Sequence, residues 1–270
     1  RFGFNQSTHR IAVGEPLGQF YGYITEGLYQ VDDFNYDAST QTYTLKDGIP
    51  YHGDKSRIRP GMWKFKNLTG DDNVIDENDK TVIGNAQPKF YGGLNNSFTY
   101  KGFDLSIFLT FSYGNEVLNA TKLVTSKVGS LNYNALDVMN SSNRWMTINS
   151  DGQKVTDPGE LAALNAGKTV AAYHDAQQGD NYIHSWAVED ASYLKLSNVT
   201  LGYTFPKKLI ARVGLKNLRL YATGNNLLTW TKYSGFDPEV STMKSGLTPG
   251  VDFGAYPLSR SFIFGLNVAF

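Results

Sequence analysis

The chain has 270 residues, of which 41% are hydrophobic and 19% are charged, a composition that excludes a disordered protein. Its 25 lysine and arginine residues balance 25 aspartate and glutamate residues, and this neutral chain lacks the basic field on which nucleic-acid binding depends. The sequence contains no apolar run of about 18 residues, so no membrane-spanning helix is predicted, although spanning strands need only an alternating pattern.

Within the first 87 residues, the most distinctive segment is 67–80, with the sequence NLTGDDNVIDENDK. Oxygen-bearing side chains recur there around a glycine turn, as in a calcium loop of the EF-hand type. The candidate ligands for a structural calcium ion are Asn67, Thr69, Asp71, Asn73, Asp76 and Asp79. An inserted residue near Asp72 and the asparagine at the first ligand position disturb this register, so a solvated acidic turn is the alternative interpretation.

The first two long strands are predicted over 88–100 and 102–114. Apolar residues occupy every second position from Phe103 to Tyr113, and mainly polar residues fill the positions between them. The Lys-Gly pair at 101–102 supplies a tight connection, so the two strands are expected to form a hairpin.

A long connection is predicted over 115–190, with a short helix within 115–128. The remaining strands are predicted over 191–205, 216–232 and 258–270, and a second long connection occupies 233–257.

These strands carry one apolar face, while serine, threonine, asparagine and glycine fill the other face. Lys195 is an exception, since the alternation places it on the apolar face, at a height of roughly 25 Å that matches the edge of a bilayer's apolar band. Aromatic residues gather toward the strand ends, as at a bilayer interface. A soluble β-sandwich with packed apolar faces is the alternative. Short turns on one side and long connections on the other favour a membrane barrel.

The C-terminal third of the sequence closely resembles a known family. The segments are DASYLKLSNVTLGYTFPKKL (190–209), LKNLRLYATGNNLLTWTKYSGFDPE (215–239) and YPLSRSFIFGLNVAF (256–270). Together they resemble the C-terminal signature of the SusC/RagA family of TonB-linked, or TonB-dependent, outer-membrane transporters. Further segments at 13–30, 84–117 and 143–147 match other parts of the family, in the family's order.

The resemblance implies an all-β fold, in which this chain supplies the C-terminal strands of a transmembrane antiparallel β-barrel of about 22 strands. Residues 1–87 would be largely extracellular loop structure with short strands, and residues 115–190 and 233–257 would form long extracellular loops. The family's plug domain is absent from these 270 residues, so we expect the C-terminal portion of a longer polypeptide. Phe270 resembles the terminal aromatic assembly signal of such barrels and would lie in the periplasm.

The function that the resemblance implies is TonB-dependent import of large nutrients, glycans or peptides, across the outer membrane of a Gram-negative bacterium. The implied partners are a SusD-like lipoprotein, outer-membrane lipid, the rest of the barrel and plug, and TonB through regions outside this chain. The alternative is a soluble β-sandwich module that binds carbohydrate, and a surface adhesin is a third interpretation. No enzyme activity is expected, because no nucleophile, base and orienting group can be named together.

Aromatic side chains in the long loops are the candidates for substrate contact, since exposed rings stack on sugars or on peptide side chains. These candidates are Trp63, Trp145, Tyr182 and Trp186. No catalytic residue is predicted, and no cofactor other than the calcium ion.

Overall fold

The computed structural model describes residues 7–70, 72–126, 134–172, 182–242 and 245–270, and this part of the chain is all-β in class. The strands are β1 (Gln19–Gly22), β2 (Thr25–Leu28), β3 (Phe34–Asp37), β4 (Thr42–Leu45), β5 (Tyr51–His52), β6 (Trp63–Phe65), β7 (Val74–Ile75), β8 (Thr81–Asn85), β9 (Phe90–Tyr100), β10 (Phe103–Tyr113), β11 (Glu116–Asn119), β12 (Val188–Asp190), β13 (Tyr193–Thr204), β14 (Asn217–Thr231), β15 (Val251–Asp252) and β16 (Ser261–Ala269). The α-helices are α1 (Ala120–Thr125), α2 (Pro158–Leu164) and α3 (Lys207–Ile210). Single 3₁₀ turns lie at Val31–Asp33, Lys55–Arg57, Glu77–Asp79, Asp137–Met139, Ser185–Ala187 and Ala211–Val213. None of the helices in the described ranges is long and apolar enough to cross a membrane.

The five long strands form one antiparallel sheet in the order β16-β14-β13-β10-β9. Lys101 and Gly102 have φ angles of 45° and 90°, the left-handed conformation that a two-residue hairpin turn requires. The connection from β13 to β14 is also compact, because it folds into α3 and a 3₁₀ turn. Both short connections therefore lie at one end of the sheet, and the two long connections leave from the other end.

Cross-strand pairing places most of the apolar side chains of the five strands on one face, while Phe108 and Ile263 pair with polar residues on the other. Leu105, for example, lies opposite Phe98 on one side and Leu201 on the other, and paired residues point to the same side of a sheet. The exposed side chains of this apolar face are Phe90, Leu94, Phe98, Tyr100, Phe103, Tyr113, Leu194, Leu201, Leu220, Leu228, Trp230, Phe262, Phe264, Leu266 and Val268. The face therefore has no cover in the described part of the chain.

The expected position of Lys195 on the apolar face is wrong. The pairing register shifts between Leu196 and Asn198, so that Ser197 is an extra residue in β13 and forms a β-bulge. An extra residue reverses the alternation beyond it. Leu196 consequently joins the apolar face opposite Leu109, and Lys195 points to the polar face, where it is buried.

The polar face is a ladder of small hydrogen-bonded side chains. The hydroxyl oxygens of Thr110 and Ser197 lie 2.6 Å apart, and those of Thr200 and Thr223 lie 2.8 Å apart. Such side chains satisfy one another without a charge. The two faces of the sheet thus differ sharply in chemistry.

The buried core lies in the connections and in the region before β9. One apolar cluster joins these two parts of the chain through Tyr23, Trp63, Phe65, Trp145 and Leu161. A second cluster contains Phe20, Leu118, Leu123, Ile183 and Val251. The long connections are therefore packed structures, with their own strands and helices.

The short helix predicted within 115–128 is α1, Ala120–Thr125, and a strand precedes it. Residues Glu116–Asn119 form β11, because they pair with β12 and β15. The Asn119 side chain accepts a hydrogen bond of 2.9 Å from the Lys122 N–H and so caps α1.

Candidate functional site

The four aromatic candidates for substrate contact do not form an exposed surface. Trp145 is 1% exposed and Trp63 is 9% exposed, so the expected exposure is wrong for both residues. A Cβ atom at Gly61 would lie 2.3 Å from the Trp145 ring, which shows how closely the backbone covers this indole. Tyr182 and Trp186 are partly buried against the same cluster. These rings pack the connections together.

Two histidines belong to this aromatic cluster. The rings of His52 and Tyr182 are 5.1 Å apart and nearly perpendicular. The Nδ1 atom of His184 lies 2.9 Å from the Thr25 hydroxyl. Burial lowers the pKa of His52 to about 4, so that its ring is neutral at pH 7. In the described ranges, no three His, Cys, Asp or Glu side chains converge as a metal site.

Trp186 connects the aromatic cluster to an ion pair. The Lys122 ammonium lies 4.1 Å from the centre of the Trp186 ring and donates hydrogen bonds of 3.0 Å to the Trp186 carbonyl and to Glu189. Burial alone would raise the pKa of Glu189, but hydrogen bonds from Ser234 and the charge of Lys122 lower it below its ordinary value. Glu189 is therefore a partly buried anion that ties α1 to the segment after β14.

The predicted calcium loop closes around Asp79, which is fully buried. Its carboxylate accepts hydrogen bonds of 2.7, 2.9 and 2.8 Å from the backbone N–H groups of Leu68, Thr69 and Asp76. Burial alone would raise the pKa of this carboxyl, but these donors lower it below its ordinary value. Amide donors thus compensate the charge of Asp79.

The other candidate ligands of the loop have different surroundings, and among their described side chains only the Thr69 hydroxyl donates to Asp79, over 3.1 Å. Asp76 accepts a hydrogen bond of 2.7 Å from the Asn78 N–H, and Asn73 occupies a left-handed turn position with a φ of 56°. Asn67 Oδ1 is buried and has no hydrogen-bond partner. Asp71 lies outside the described residues. The described residues form a loop held by amide donors, and the calcium ion stays a prediction.

The connection between β14 and β16 is fastened to the sheet at its long-connection end. Glu239 forms an ion pair with Lys195 and accepts a hydrogen bond of 2.7 Å from the Tyr193 hydroxyl. Tyr233 donates a hydrogen bond of 2.6 Å to Asp252, and burial together with this bond raises the pKa of Tyr233. Asp252 also lines the cavity beside this connection.

A cavity of about 510 Å³ lies beside this connection and α1, a site that the sequence did not predict. Its lining residues are Asn119, Thr121, Lys122, Leu136, Ser234, Gly235, Phe236, Asp252, Gly254, Ala255, Tyr256 and Pro257. Phe236 is 87% exposed and Tyr256 is 92% exposed. No spacing in the sequence identifies this site, because its parts come from the separate segments 119–136 and 234–257.

At the short-turn end, the polar face carries one ion pair across three strands. Arg219 in β14 donates from Nε to Asp104 in β10 over 3.0 Å. The pair passes over Gly202, where any Cβ atom would meet both side chains. The Tyr221 ring covers Gly265 in the same way. Phe270, one residue beyond β16, is exposed.

Comparison with known proteins identifies relatives along nearly the whole chain. TonB-dependent receptor P3 of Formosa agariphila is 33% identical over 270 residues, which cover 98% of this chain and 23% of that relative. TonB-dependent receptor P39 of the same organism is 31% identical, over 99% of this chain and 26% of the relative. TonB-dependent receptor SusC of Bacteroides thetaiotaomicron is 28% identical, over 73% of this chain and 17% of the relative. No family model matches the sequence.

Solved structures share the fold. A chain of the RagAB peptide transporter superimposes with a TM-score of 0.59 at 23% identity, over 93% of this chain and 22% of that chain. The RagAB peptide importer in its open-open state gives a TM-score of 0.60 at 19% identity, over 100% of this chain and 25% of that chain. The present chain thus spans about a quarter of the length of the curated relatives it first matches, and it corresponds to their C-terminal part.

Proposed function

This chain belongs to the SusC/RagA family of TonB-dependent receptors, and from that premise we propose that it is the C-terminal part of an outer-membrane importer of large nutrients. Its sheet forms part of the barrel wall, with the apolar face against lipid and the polar face toward the lumen. It works with a SusD-like lipoprotein and with TonB, which contacts regions outside this chain. The substrate is a glycan or a peptide. No enzymatic step is part of this proposal.

The observation that carries the proposal is the uncovered apolar face. Large apolar side chains such as Phe264, which is 81% exposed, extend over all five strands, whereas a soluble protein rarely exposes so large a patch. Strand β10 has 11 residues, which matches the roughly 9 to 11 residues of a tilted strand that spans a bilayer. A soluble β-sandwich would need a second sheet packed on the apolar face. In the described ranges, the side chains of this face remain exposed.

The two edges of the sheet support the same proposal. Strands β9 and β16 each pair with a long strand on one side only. Open edges are not stable within a bilayer, so further strands of a longer polypeptide would complete the barrel. Phe270 would then lie at the periplasmic end of the closing strand and act as an assembly signal.

The orientation follows from the lengths of the connections. Outer-membrane barrels have short periplasmic turns and long extracellular loops. The turn at 101–102 and the connection with α3 would face the periplasm, and the long connections together with residues 1–87 would face the outside. A lipoprotein partner would therefore meet the packed connections.

A charge on the apolar face tests the membrane location. Leu94 lies near the middle of β9 on this face and is 54% exposed. Leu94→Arg in the complete receptor is expected to cost about 2–4 kcal/mol in a bilayer, because the arginine would lie near the midplane. The amount of folded, heat-modifiable receptor in the outer membrane should fall.

Leu209→Arg is the matched control, because Leu209 is similarly exposed but lies in α3 at the short-turn end. It should leave the amount of folded receptor unchanged. If both variants accumulate normally, or if the wild-type receptor partitions into water without detergent, the proposed function fails.

A further inference from the structure

The cavity beside α1 lies at the end of the sheet where the long connections leave. Its lining comes from the segment after β10 and from the connection between β14 and β16. On the proposed function, on which this inference rests, that end faces the outside and the incoming substrate. A volume of about 510 Å³ lies within the range of ligand pockets, about 300–1,000 Å³.

The charged groups of the cavity are already paired or hydrogen-bonded. Lys122 binds Glu189, and its ammonium also donates to the Trp186 carbonyl. Asp252 accepts hydrogen bonds from the Tyr233 hydroxyl and, over 3.3 Å, from the Ala255 N–H. A charged ligand would have to compete with these partners, at the cost of burying a charge without full compensation. The cavity thus favours an uncharged ligand.

The same groups keep some hydrogen-bonding capacity. A carboxylate has about four lone-pair sites, and the two bonds described for Asp252 leave room for hydroxyl donors. The Asn119 amide donates over 3.4 Å to both Glu189 and Ser234, distances at which the bonds are weak and readily exchanged for a ligand acceptor. Groups that both donate and accept, such as sugar hydroxyls, satisfy both side chains at once.

The rim supplies the apolar contact. Phe236 and Tyr256 both line the cavity, and their side chains are almost fully exposed, a state that is costly for aromatic rings in water. A ring with one apolar C–H face and hydroxyls at its edge matches this aromatic rim and mainly apolar lining, in which Asp252 and Asn119 are among the few polar groups. We propose that this cavity binds one or two residues of an uncharged glycan, with Phe236 and Tyr256 stacked on the sugar and with Asp252 and Asn119 bonded to its hydroxyls.

The test measures binding to the complete receptor in detergent by titration calorimetry. The probes are four neutral hexasaccharides, namely maltohexaose, cellohexaose, xylohexaose and mannohexaose. A charged hexagalacturonate and a ten-residue peptide of alanine, leucine and phenylalanine serve as comparison ligands. We expect at least one neutral hexasaccharide to bind, and Phe236→Ala and Tyr256→Ala each to raise its Kd about tenfold through the loss of a stacked ring.

Leu247→Ala is the matched control, since Leu247 is an exposed residue of the same connection and does not line the cavity. It should leave the Kd unchanged. The high exposure of Phe236 and Tyr256 means that their replacement does not open the core, and near-ultraviolet circular dichroism of each variant checks this. Asp252→Asn should also weaken binding, at least threefold.

Three results would overturn the inference. The first is that no neutral hexasaccharide binds, and the second is that both aromatic variants bind it as tightly as the wild type. The third is that the aromatic variants lose affinity for the peptide or for hexagalacturonate instead. Energy-dependent uptake by cells separates this inference from the proposed function. If the receptor reaches the outer membrane and imports nutrients, but Phe236→Ala and Tyr256→Ala bind the hexasaccharide as tightly as the wild type, the glycan site is refuted and the proposed function stands.

Discussion

The sheet and the connections of this chain differ in where their apolar side chains lie. In the sheet, Phe264 and Leu201 are exposed in the described part of the chain, whereas Trp145 in the connections and Phe65 in the region before β9 are almost fully buried. The usual arrangement, with a core between regular elements and polar loops outside, is reversed. The connections and the region before β9 can therefore be stabilised by their own buried apolar contacts, while the stability of the sheet depends on what covers its apolar face.

Truncation of one aromatic ring in each region should separate the two most strongly. Trp145→Ala leaves a large cavity under Gly61 and is expected to destabilise the packed connections by about 3–5 kcal/mol. Phe264→Ala, on the exposed face, should change their stability by less than about 0.5 kcal/mol. The measurement is made on the receptor in detergent, and it gives the midpoint, the urea concentration at which a protease cleaves the connections in half of the molecules. Equal midpoints for the two variants would contradict a core located in the connections.

Acid should loosen the packed region before β9, where His52 contacts the connections, before it affects the sheet. Because the folded state lowers the pKa of His52 from 6.5 to about 4, its contribution to stability is complete above about pH 6.5 and is lost as the pH falls toward 4. The expected loss is on the order of 3 kcal/mol over that window. The same protease assay at pH 7.5 and pH 5 measures it, and His52→Phe should remove most of this pH dependence. A wild-type midpoint that is equal at both pH values would show that burial of His52 has no energetic consequence.

A smaller effect is expected within the acidic loop. Asp79→Asn replaces one carboxylate oxygen by an N–H donor that faces other donors, and we expect a loss of about 2 kcal/mol. The pKa of Asp79 lies below its ordinary value of 3.8, so this contribution is present above that pH and is lost as the pH falls through the folded value. Glu77→Gln is the control, because Glu77 is an exposed acid of the same loop. If added calcium ions restored the midpoint of Asp79→Asn, amide donors would not be the main partners of this carboxylate.

The sequence predicted the sheet better than it predicted the site. Alternation over 102–114 corresponds to β10, Phe103–Tyr113, because a strand with one apolar face has a strong period of two. The family that the segments at 190–209 and 215–239 indicated was confirmed by the comparisons. Periodicity is a local property, and both features depend on residues that are close in the sequence.

The exposure of the aromatic residues could not be predicted in this way. Trp63 and Trp186 lie in segments without periodicity, and their rings are 5.0 Å apart only because distant connections fold together. The cavity at Phe236 and Tyr256 likewise joins segments that no local pattern links. Long-range packing decides both cases, and a single sequence carries little information about it.

The bulge at Ser197 has a consequence for insertions and deletions. Loss of this single residue would turn Lys195 to the apolar face and would turn Leu194 and Leu196 to the polar face, while every other residue of the strand kept its identity. A substitution in this strand therefore changes one side chain, whereas a change of length moves every side chain on one side of the bulge to the opposite face. We expect the number of residues between Tyr193 and Thr204 to be under stronger constraint than the identity of most of them.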